Sequence, residues 1–414
     1  MAVLLGLPGS VEARTTSDRT GGSAQAAAGA PPSFAVAASR GIEELLGTGD
    51  HSPVGWNYNT GLWGGHIPAN WWQSALAVMT LIRYAERTGS VNPLYQRVLV
   101  RVYTRNIYKP HATARRDFVN QFMDDTGWWG LAWAAASRYE LYDRGDHGDA
   151  ARFLALAEAD ARYIASQPRL CGGIEWGIGY PPDTVANAEF IALTAGLYSF
   201  RNTPGSFYNP GQAAIWLDDA RAALSWLEHS GLVNMQAGAV FDGLDRGCHV
   251  IGGAMTYTEG EVAEALIQMG TALQDPSYYD EAAAFLRYTI SPASELVTNG
   301  ILQERCESIL GKCDDLHFRM DLPAYKGLFI DAVSDWSTAT GSPAFDGFLR
   351  TQASAVVTNA IRGPNNDPAR CRTPHTCQFA FHWTGERDPA PLGVTLGGQE
   401  SALDALTAVL PYHR

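Results

Sequence analysis

The stretch PANWWQSALAVMTLIRYAERTGSVNPLYQRVLVRVYTRNIY, residues 68–108, predicts two helices joined by a short turn. Apolar residues recur at helical spacing over 68–88 and again over 91–108. Between them Thr88-Gly89-Ser90 allows only a tight connection. Two helices with so short a connection pack as an antiparallel hairpin, and this hairpin is the unit from which we predict the fold.

The same unit repeats along the chain. Helical spacing also marks residues 33–47, 127–144, 146–167, 183–201, 210–231, 257–273, 276–292, 324–342, 343–362 and 398–410. Tight connections alternate with long ones rich in Gly, Trp, Tyr and Asn, over 48–67, 109–126, 168–182, 232–256, 293–323 and 363–397. This weak repeat of about 50 to 75 residues predicts an all-α fold, an (α/α)6 toroid or barrel of six helical hairpins. The long loops would gather at one face, around the N-termini of the inner helices; an open solenoid is the alternative.

Composition and charge narrow the functional class. The chain has 414 residues, 46% hydrophobic and 18% charged, which indicates a globular protein of two domains or one large domain. Its net charge of −13, without a basic cluster, argues against binding to nucleic acid or to an anionic membrane. A neutral polymer can approach such a surface without electrostatic cost.

The N-terminus indicates export. Residues 1–13 (MAVLLGLPGSVEA) resemble part of a signal peptide, and residues 14–32 have the composition of a flexible linker. Residues 33–414 would then form a single catalytic domain. No stretch reaches the roughly 20 apolar residues of a membrane span. We therefore expect a secreted protein with no membrane partner.

The six cysteines agree with an oxidising compartment. No CxxC motif occurs, and no histidine lies at ligand spacing from two of the thiols, so we expect no metal. Two pairs are close in sequence, and the remaining two cysteines lie in Gly-rich loops. The predicted disulfides are Cys171–Cys248, Cys306–Cys313 and Cys371–Cys377.

A doubled aspartate, Asp124 and Asp125, marks the candidate chemistry within FVNQFMDDTGWWGLAW, residues 118–133. Cleavage of a sugar–sugar bond uses two carboxyl groups, one protonated and one ionised. The adjacent tryptophans offer flat apolar faces for a sugar ring. The alternative is that one aspartate caps the following helix, but a cap needs only one and a second adds like-charge repulsion. At the start of an inner helix, the helix dipole would favour an ionised nucleophile.

Five segments resemble glycoside hydrolase family 76, the endo-α-1,6-mannanases, in order between about Trp56 and Leu406. They are FMDDTGWWGLAW (122–133), GGIEW (172–176), TYTEGE (256–261), GILQERCE (300–307) and YKGLF (325–329). The resemblance implies an (α/α)6 barrel that hydrolyses α-1,6-mannosidic backbones with retention, with Asp124 as nucleophile and Asp125 as acid/base. The chain departs from the family pattern at Asp183-Thr184-Val185, where a basic residue is usual, and at Glu259, where glutamine is usual.

The entries to the inner helices would supply the sugar-binding residues. Neighbours on a helix point about 100° apart, so within each Trp-Trp pair one ring is expected in the core. We expect substrate contacts from Trp72, Gln73, Trp128, Trp129, Gly173, Trp176, Asn187, Tyr257 and Lys326.

The sequence thus predicts a secreted, monomeric, retaining endo-glycosidase that acts on α-mannan polysaccharide without a cofactor. Two alternatives stay open at this stage. One is a transglycosylase acting on cell-wall mannan or a related glycan, and the other is a toroid that binds glycans without catalysis.

Overall fold

The computed structural model describes residues 32–47, 54–64, 70–108, 116–307, 316–362, 371, 376–385 and 394–412. The predicted signal segment 1–13, the linker up to residue 31 and Cys313 lie outside the described residues. The helices are α1 (Phe34–Leu46), α2 (Asn70–Thr88), α3 (Pro93–Asn106), α4 (Met123–Arg138), α5 (His147–Ala165), α6 (Thr184–Asn202), α7 (Pro210–His229), α8 (Thr256–Leu273), α9 (Ser277–Ile290), α10 (Leu316–Thr340), α11 (Asp346–Ala355) and α12 (Leu396–Ala408). Each segment predicted to be helical overlaps one of them, so the mostly helical class is confirmed.

Local signals explain most helix boundaries. The turn between α2 and α3 uses Gly89 at φ 64°, a backbone angle that glycine adopts at little cost. The Asn92 side chain then accepts a hydrogen bond from the Leu94 amide and Pro93 begins α3. Asp146 caps α5 and Asp183 caps α6 in the same way.

Two helices begin at least one turn earlier than predicted. Helix α4 begins at Met123, and its N-cap position is Phe122, which contributes no side-chain hydrogen bond. Helix α10 begins at Leu316 and contains Pro323, whereas the apolar spacing predicts a start after this proline, at residue 324. Proline is favoured at a helix start, but here the carbonyl of Pro323 accepts a bond from Ser401 Oγ on α12, so tertiary packing holds it inside the helix.

The even-numbered helices form a closed ring. Helix α2 contacts α4, α4 contacts α6, α6 contacts α8, α8 contacts α10, α10 contacts α12, and α12 returns to α2. Helices α5, α7 and α9 pack outside this ring on α4, α6 and α8, while α1 and α11 pack on α12. Residues Pro31–Arg414 form one compact unit.

Contacts between successive long connections place them at one end of the ring. Backbone bridges join Phe122 to Gly177 and Asp183 to Gly243, so the segments before α4, α6 and α8 are neighbours. The Thr256 hydroxyl at the start of α8 donates to Glu304, which precedes α10. Lys326 on α10 donates to the carbonyl of Phe381, which precedes α12. This shared end is called the loop end below.

Short antiparallel strand pairs lie between the helices. They are β1 (Val233–Asn234) with β2 (Ala239–Val240), β3 (Gly243–Leu244) with β4 (Val250–Ile251), β5 (Val297–Thr298) with β6 (Ile301–Leu302), and β7 (Ile361–Arg362) with β8 (Gln378–Phe379). Two residues are too few for an alternating pattern, which is why the sequence predicted no strand. None of the helices in the described residues is both long enough and apolar enough to span a membrane.

Candidate active site

The two predicted catalytic residues lie in the first turn of α4, at the loop end. Asp124 and Asp125 follow the N-cap residue Phe122 and are each partly exposed. Asp124 Oδ1 accepts a bond of 2.7 Å from the amide of Asp125, one of the free N–H groups of the helix start. The pair therefore occupies the helix terminus without serving as its N-cap residue, which leaves most of its carboxyl oxygens for other partners.

Asn120 positions Asp125. Its Nδ2 atom donates to Asp125 Oδ2 at 2.5 Å, and its Oδ1 atom accepts from the Phe122 amide at 2.7 Å. Thr126 Oγ1 accepts from the Asn120 amide at 3.2 Å and donates to the Phe122 carbonyl at 3.0 Å. These bonds lock the turn that precedes α4, and Asn120 holds the Asp125 side chain from within that turn.

Trp176 positions Asp124. The indole Nε1 donates to Asp124 Oδ2 at 2.8 Å, while the ring packs against Phe122 at 5.0 Å and against Tyr180 at 5.2 Å between centroids. Trp176 is 38% exposed, so its ring has a free face beside the carboxylate. One side chain can thus orient Asp124 and offer a platform on which a sugar ring can stack.

The two carboxyl groups differ in acidity. Burial raises the pKa of Asp124 to about 6, and the hydrogen bonds from the Asp125 amide and from Trp176 counteract part of this rise. Burial and the neighbouring Asp124 charge raise the pKa of Asp125 well above its ordinary value, against the bond from Asn120. Only the pKa of Asp125 is raised by the charge of the other member of the pair, so Asp125 retains a proton more readily than Asp124, a division typical of an acid paired with a nucleophile or base.

Further acidic groups surround the pair. Burial raises the pKa of Asp183, as do Asp124 and Asp242, and burial also raises that of Asp242. Tyr257 donates to Asp242 Oδ1 at 3.1 Å and stacks on Tyr325 with ring centroids 3.8 Å apart. Asp183, which departs from the family pattern, accepts from the Ala186 amide as the N-cap residue of α6.

Glu189 lies behind the pair in the interior. It is fully buried, and neither carboxyl oxygen has a hydrogen-bond partner among the described residues. A side-chain carbon at Gly127 would overlap the Glu189 carboxyl, so glycine is required where α6 approaches α4. Burial and the nearby carboxyl groups raise the pKa of Glu189 well above normal, which favours its neutral form.

Some of the aromatic residues predicted to contact substrate are exposed in the structure, and others are buried. Trp176 is exposed, and Trp72 and Tyr257 are partly exposed at inner-helix starts. Trp128 and Trp129, in contrast, are only 3% and 0% exposed. Trp129 lies in an aromatic core with Trp71, Phe118 and Trp133. Trp128 packs near Trp72, at 6.4 Å between centroids. The prediction that one ring of this Trp-Trp pair faces the cleft is therefore not supported by their burial.

Three further predicted contact residues are buried in supporting positions. Gln73 is 2% exposed, and Gly173 is buried against the ring of Trp226. Asn187 is 1% exposed, accepts from the Ile174 amide and donates to the carbonyls of Ile174 and Asp183. Asn187 thus anchors the loop that carries Trp176, and its effect on a substrate would be indirect.

Lys326 is fully buried, which corrects its assignment as a substrate contact. Its Nζ atom donates to both carboxyl oxygens of Glu307, at 3.0 and 3.2 Å, and to the Phe381 carbonyl at 2.6 Å. The same ammonium lies 4.1 Å from the centroid of the Phe381 ring and 4.7 Å from that of Trp383. A cation that is enclosed on all these sides fastens the loops together instead of facing the cleft.

Disulfides also fasten the loop end. Cys171 is bonded to Cys248, which ties the loop carrying Trp176 to the β3–β4 hairpin, and Cys371 is bonded to Cys377. Cys306 is disulfide-bonded as well, and its predicted partner, Cys313, lies outside the described residues.

Several residues of the site were not predicted. Asn120, Tyr180 and Asp242 come from long loops, where an Asn, Tyr or Asp is common without any function. Asn120 carried one usable signal, its position just before a helix start that contains two aspartates. Asp242 carried none, because only the ring brings its segment to α4.

One cluster of three acidic residues, away from the aspartate pair, has spacing suited to a metal ion. Among the described residues, ligand oxygens of Glu140, Asp146 and Asp149 lie within 4.8 Å of one another. Gln96 Nε2 already donates to these carboxylates, and Arg144 and Arg152 form ion pairs with Glu140 and Asp149. This group is therefore explained by protein contacts.

Comparison with solved structures shows the same fold in α-mannanases. An α-1,6-mannanase from Salegentibacter sp. superposes with a TM-score of 0.67 at 19% identity, covering 91% of this chain and 98% of the other. An α-mannanase from Bacteroides thetaiotaomicron gives 0.65 at 14% identity, over 92% and 96% of the two chains. The Dfg5 protein of Chaetomium thermophilum, solved with glucosamine, gives 0.64 at 22% identity, over 82% and 80%.

A search of curated proteins found no match. The family model described as "Glycosyl hydrolase family 76" matches residues 53–413, which include every helix of the ring and both residues of the aspartate pair. The chain belongs to glycosyl hydrolase family 76.

Proposed function

We propose that this protein is a retaining endo-glycosidase that hydrolyses α-1,6-mannosidic bonds in mannan-type polysaccharides. The observation that carries the proposal is the aspartate pair of α4, two adjacent and partly exposed carboxyl groups whose pKa values are both raised. Family membership and the mannanase folds support the glycosidase class. A Salegentibacter α-1,6-mannanase variant with two consecutive aspartates changed to asparagine is described as inactive and was solved with α-1,6-mannotriose, which supports the substrate.

In the proposed mechanism, Asp124 is the nucleophile. Its lower pKa, about 6, supports this assignment, because a nucleophilic carboxylate must be ionised before it attacks the anomeric carbon. Trp176 orients Asp124 through the indole N–H. Attack breaks the bond from the anomeric carbon to the leaving oxygen and forms a glycosyl ester on Asp124.

Asp125 acts first as acid and then as base. Its raised pKa keeps a proton available for the leaving oxygen, and Asn120 holds its other oxygen in place. After the leaving group departs, Asp125 removes a proton from water, and the hydroxide equivalent displaces Asp124 from the sugar. Two displacements restore the starting anomeric configuration. Protein carboxyl groups and water supply every step of this reaction.

The proposed architecture is the (α/α)6 toroid of six helical hairpins. The closed ring of even-numbered helices with α5, α7 and α9 outside it supports this count, as does the gathering of the long loops at one end. We also propose that the protein is exported and monomeric. The disulfides in the described residues support export because such bonds persist in oxidising compartments.

The decisive experiment is a product profile on a panel of α- and β-linked mannans, with the anomeric configuration followed by NMR from the first minutes. We expect α-configured oligosaccharides from α-1,6-mannan only. A β-configured first product would overturn retention, and cleavage of a different linkage would overturn the substrate. Addition of an acceptor sugar tests the transglycosylase alternative, in which longer transfer products appear at the expense of hydrolysis. Binding without any turnover would instead support the non-catalytic alternative.

A further inference from the structure

An aromatic loop borders the aspartate pair, and one of its rings has no part in the proposed mechanism. This aromatic loop consists of residues 176–180 (WGIGY), which precede α6. Trp176 contacts Asp124 through its indole N–H at 2.8 Å. Tyr180 instead contacts the rings of Trp176 and Phe122, at 5.2 and 6.4 Å between centroids. Tyr180 therefore lies one ring farther from the pair, and it is 47% exposed.

The backbone of the aromatic loop is fixed to the segment that leads into α4. The Trp176 carbonyl accepts a bond of 2.7 Å from the Met123 amide, and the Ile178 amide donates to the Gln121 carbonyl at 3.0 Å. The Trp176 amide donates to the Pro181 carbonyl at 3.1 Å, which closes the loop on itself. The loop therefore cannot move away from the start of α4 without breaking backbone hydrogen bonds.

Further contacts hold the tip of the aromatic loop. The Gly179 amide donates to Glu175 Oε2 at 2.6 Å, and the Gly179 carbonyl accepts from Arg246 Nη2 at 3.0 Å. Gly179 has a φ of 81°, which glycine adopts at little cost. The disulfide between Cys171 and Cys248 joins the two segments that supply Glu175 and Arg246. The protein itself thus sets the direction in which the side chains leave the loop.

The exposed rings of the loop form a corner beside the cleft. The ring planes of Trp176 and Tyr180 meet at 76°, so the edge of one ring faces the other ring. A sugar ring can stack on an exposed aromatic ring, and a phenolic hydroxyl can bond to a sugar hydroxyl. With nearly half of its surface exposed, Tyr180 offers both kinds of contact from a fixed position.

The position of Tyr180 restricts it to one part of a substrate. In the proposed reaction, the sugar that is attacked has its anomeric carbon beside Asp124, where Trp176 is the adjoining ring. Tyr180 lies beyond Trp176, so a further sugar unit of the same chain is needed to reach it. Binding energy from Tyr180 is therefore available only to substrates that extend past the bond that is cleaved, and it favours long chains over short ones.

We propose that Tyr180 forms a subsite for a sugar unit remote from the cleaved bond and thereby determines a preference for longer α-1,6-mannooligosaccharides. The remote unit stacks on the exposed part of the Tyr180 ring, and Trp176 forms the wall of the subsite on the side of the aspartate pair. This inference rests on the proposed glycosidase function. It adds a residue that determines specificity and takes no part in bond cleavage.

The test compares kcat/KM for α-1,6-mannobiose and α-1,6-mannotetraose. The biose fills only the two positions that flank the cleaved bond, whereas the tetraose extends past them. Tyr180→Ala should lower kcat/KM for the tetraose by about two- to tenfold, the loss that corresponds to one aromatic contact, and leave the value for the biose unchanged. Tyr180→Phe keeps the ring and should retain most of the preference for the tetraose.

Tyr208→Ala is the matched control. Tyr208 is 52% exposed and lies between the C-terminus of α6 and the start of α7, at the other end of α6 from the aromatic loop. This variant should leave both kcat/KM values unchanged. If Tyr180→Ala lowers both values equally, its effect comes from a loosened loop and the subsite is refuted. An unchanged value for the tetraose would also refute it.

The pH profile separates a sugar contact from a structural role. A loosened loop would weaken the bond from Trp176 that lowers the pKa of Asp124, and the rising limb of kcat/KM would move to higher pH. Loss of a sugar contact leaves that limb in place, so we expect the limbs of Tyr180→Ala and the unaltered protein to coincide. A shifted limb would overturn the subsite alone, whereas no cleavage of either substrate by the unaltered protein would overturn the proposed function itself.

Discussion

Two groups of carboxyl residues at the loop end have opposite acidities. Asp124 and Asp125 on α4 are partly exposed, and their pKa values are raised by burial and, for Asp125, by its neighbour. Glu307 is more deeply buried, at 5% exposed. Burial alone would raise its pKa, but Lys326 and His382 outweigh this effect and lower it. The less buried pair is thus the one with the higher pKa values.

The difference lies in the partners. Glu307 receives an ammonium at 3.0 Å, whereas Asp124 and Asp125 receive neutral N–H donors from Trp176 and Asn120 and form no ion pair within the described residues. A paired carboxylate remains ionised and stabilises the loops, while an unpaired one can exchange a proton near neutral pH. The absence of a cation beside a carboxyl pair is therefore a better indicator of chemistry than its burial.

The largest expected effect comes from removing the acid or the nucleophile. Asp125→Asn should lower kcat/KM by about 10²–10⁴-fold, the usual contribution of acid–base catalysis, and Asp124→Asn should lower it at least as much. Neither variant breaks an ion pair, so the melting temperature should be retained or raised. Near-normal turnover in either folded variant would refute the assignment.

At the ion pair of Lys326 and Glu307, a single substitution should lower stability instead of catalysis. Lys326→Met leaves the Glu307 carboxylate buried without its ammonium, and we expect a loss of about 3–5 kcal/mol in the free energy of unfolding, measured by denaturant titration. Replacing both partners, with Glu307→Leu added, should recover much of this loss. If Lys326→Met melts like the parent protein while kcat falls, Lys326 faces the substrate after all.

A third test concerns Glu259, whose Oε1 atom accepts from the Val240 amide in the interior. Burial raises the pKa of Glu259 to about 8. The folded state therefore holds a proton that the unfolded state releases above about pH 4.5, so stability falls as the pH rises towards 8. Glu259→Gln cannot ionise, and its melting temperature should fall less between pH 5 and 9 than that of the parent protein. If the melting temperatures of the two proteins fall equally between pH 5 and 9, Glu259 is not protonated in the folded state.

The smallest expected effect is a shift in the pH profile. Asp124 must be ionised to attack, so kcat/KM should rise with pH through a value near 6 and fall again as Asp125 loses its proton. Trp176→Phe keeps an aromatic platform but removes the N–H that lowers the pKa of Asp124. Its rising limb should move to higher pH, and the falling limb should move less. An unchanged rising limb would mean that the indole bond does not act on the nucleophile.

The sequence predicted the helices well because their signals are local. Apolar spacing, Gly89, the Asn92-Pro93 start and the Asp146 and Asp183 caps act within a few residues. The early start of α4 and the place of Pro323 within α10 were missed, since bonds and packing from distant segments decide them. The aspartate pair was recognisable because two adjacent carboxylates conflict with a simple capping role.

The sequence by itself determined most of the helical segments, the acidic composition, the Cys371–Cys377 pair and the aspartate pair. The tertiary structure alone decided which aromatic rings are exposed, since Trp72 is partly exposed and Trp128, whose ring packs near it, is buried. It also decided that Lys326 is enclosed by Glu307 and Phe381, and that Asp124 meets Trp176. The physical reason is that pKa and exposure depend on neighbours within a few ångströms, and ring closure brings those neighbours from helices far apart in sequence.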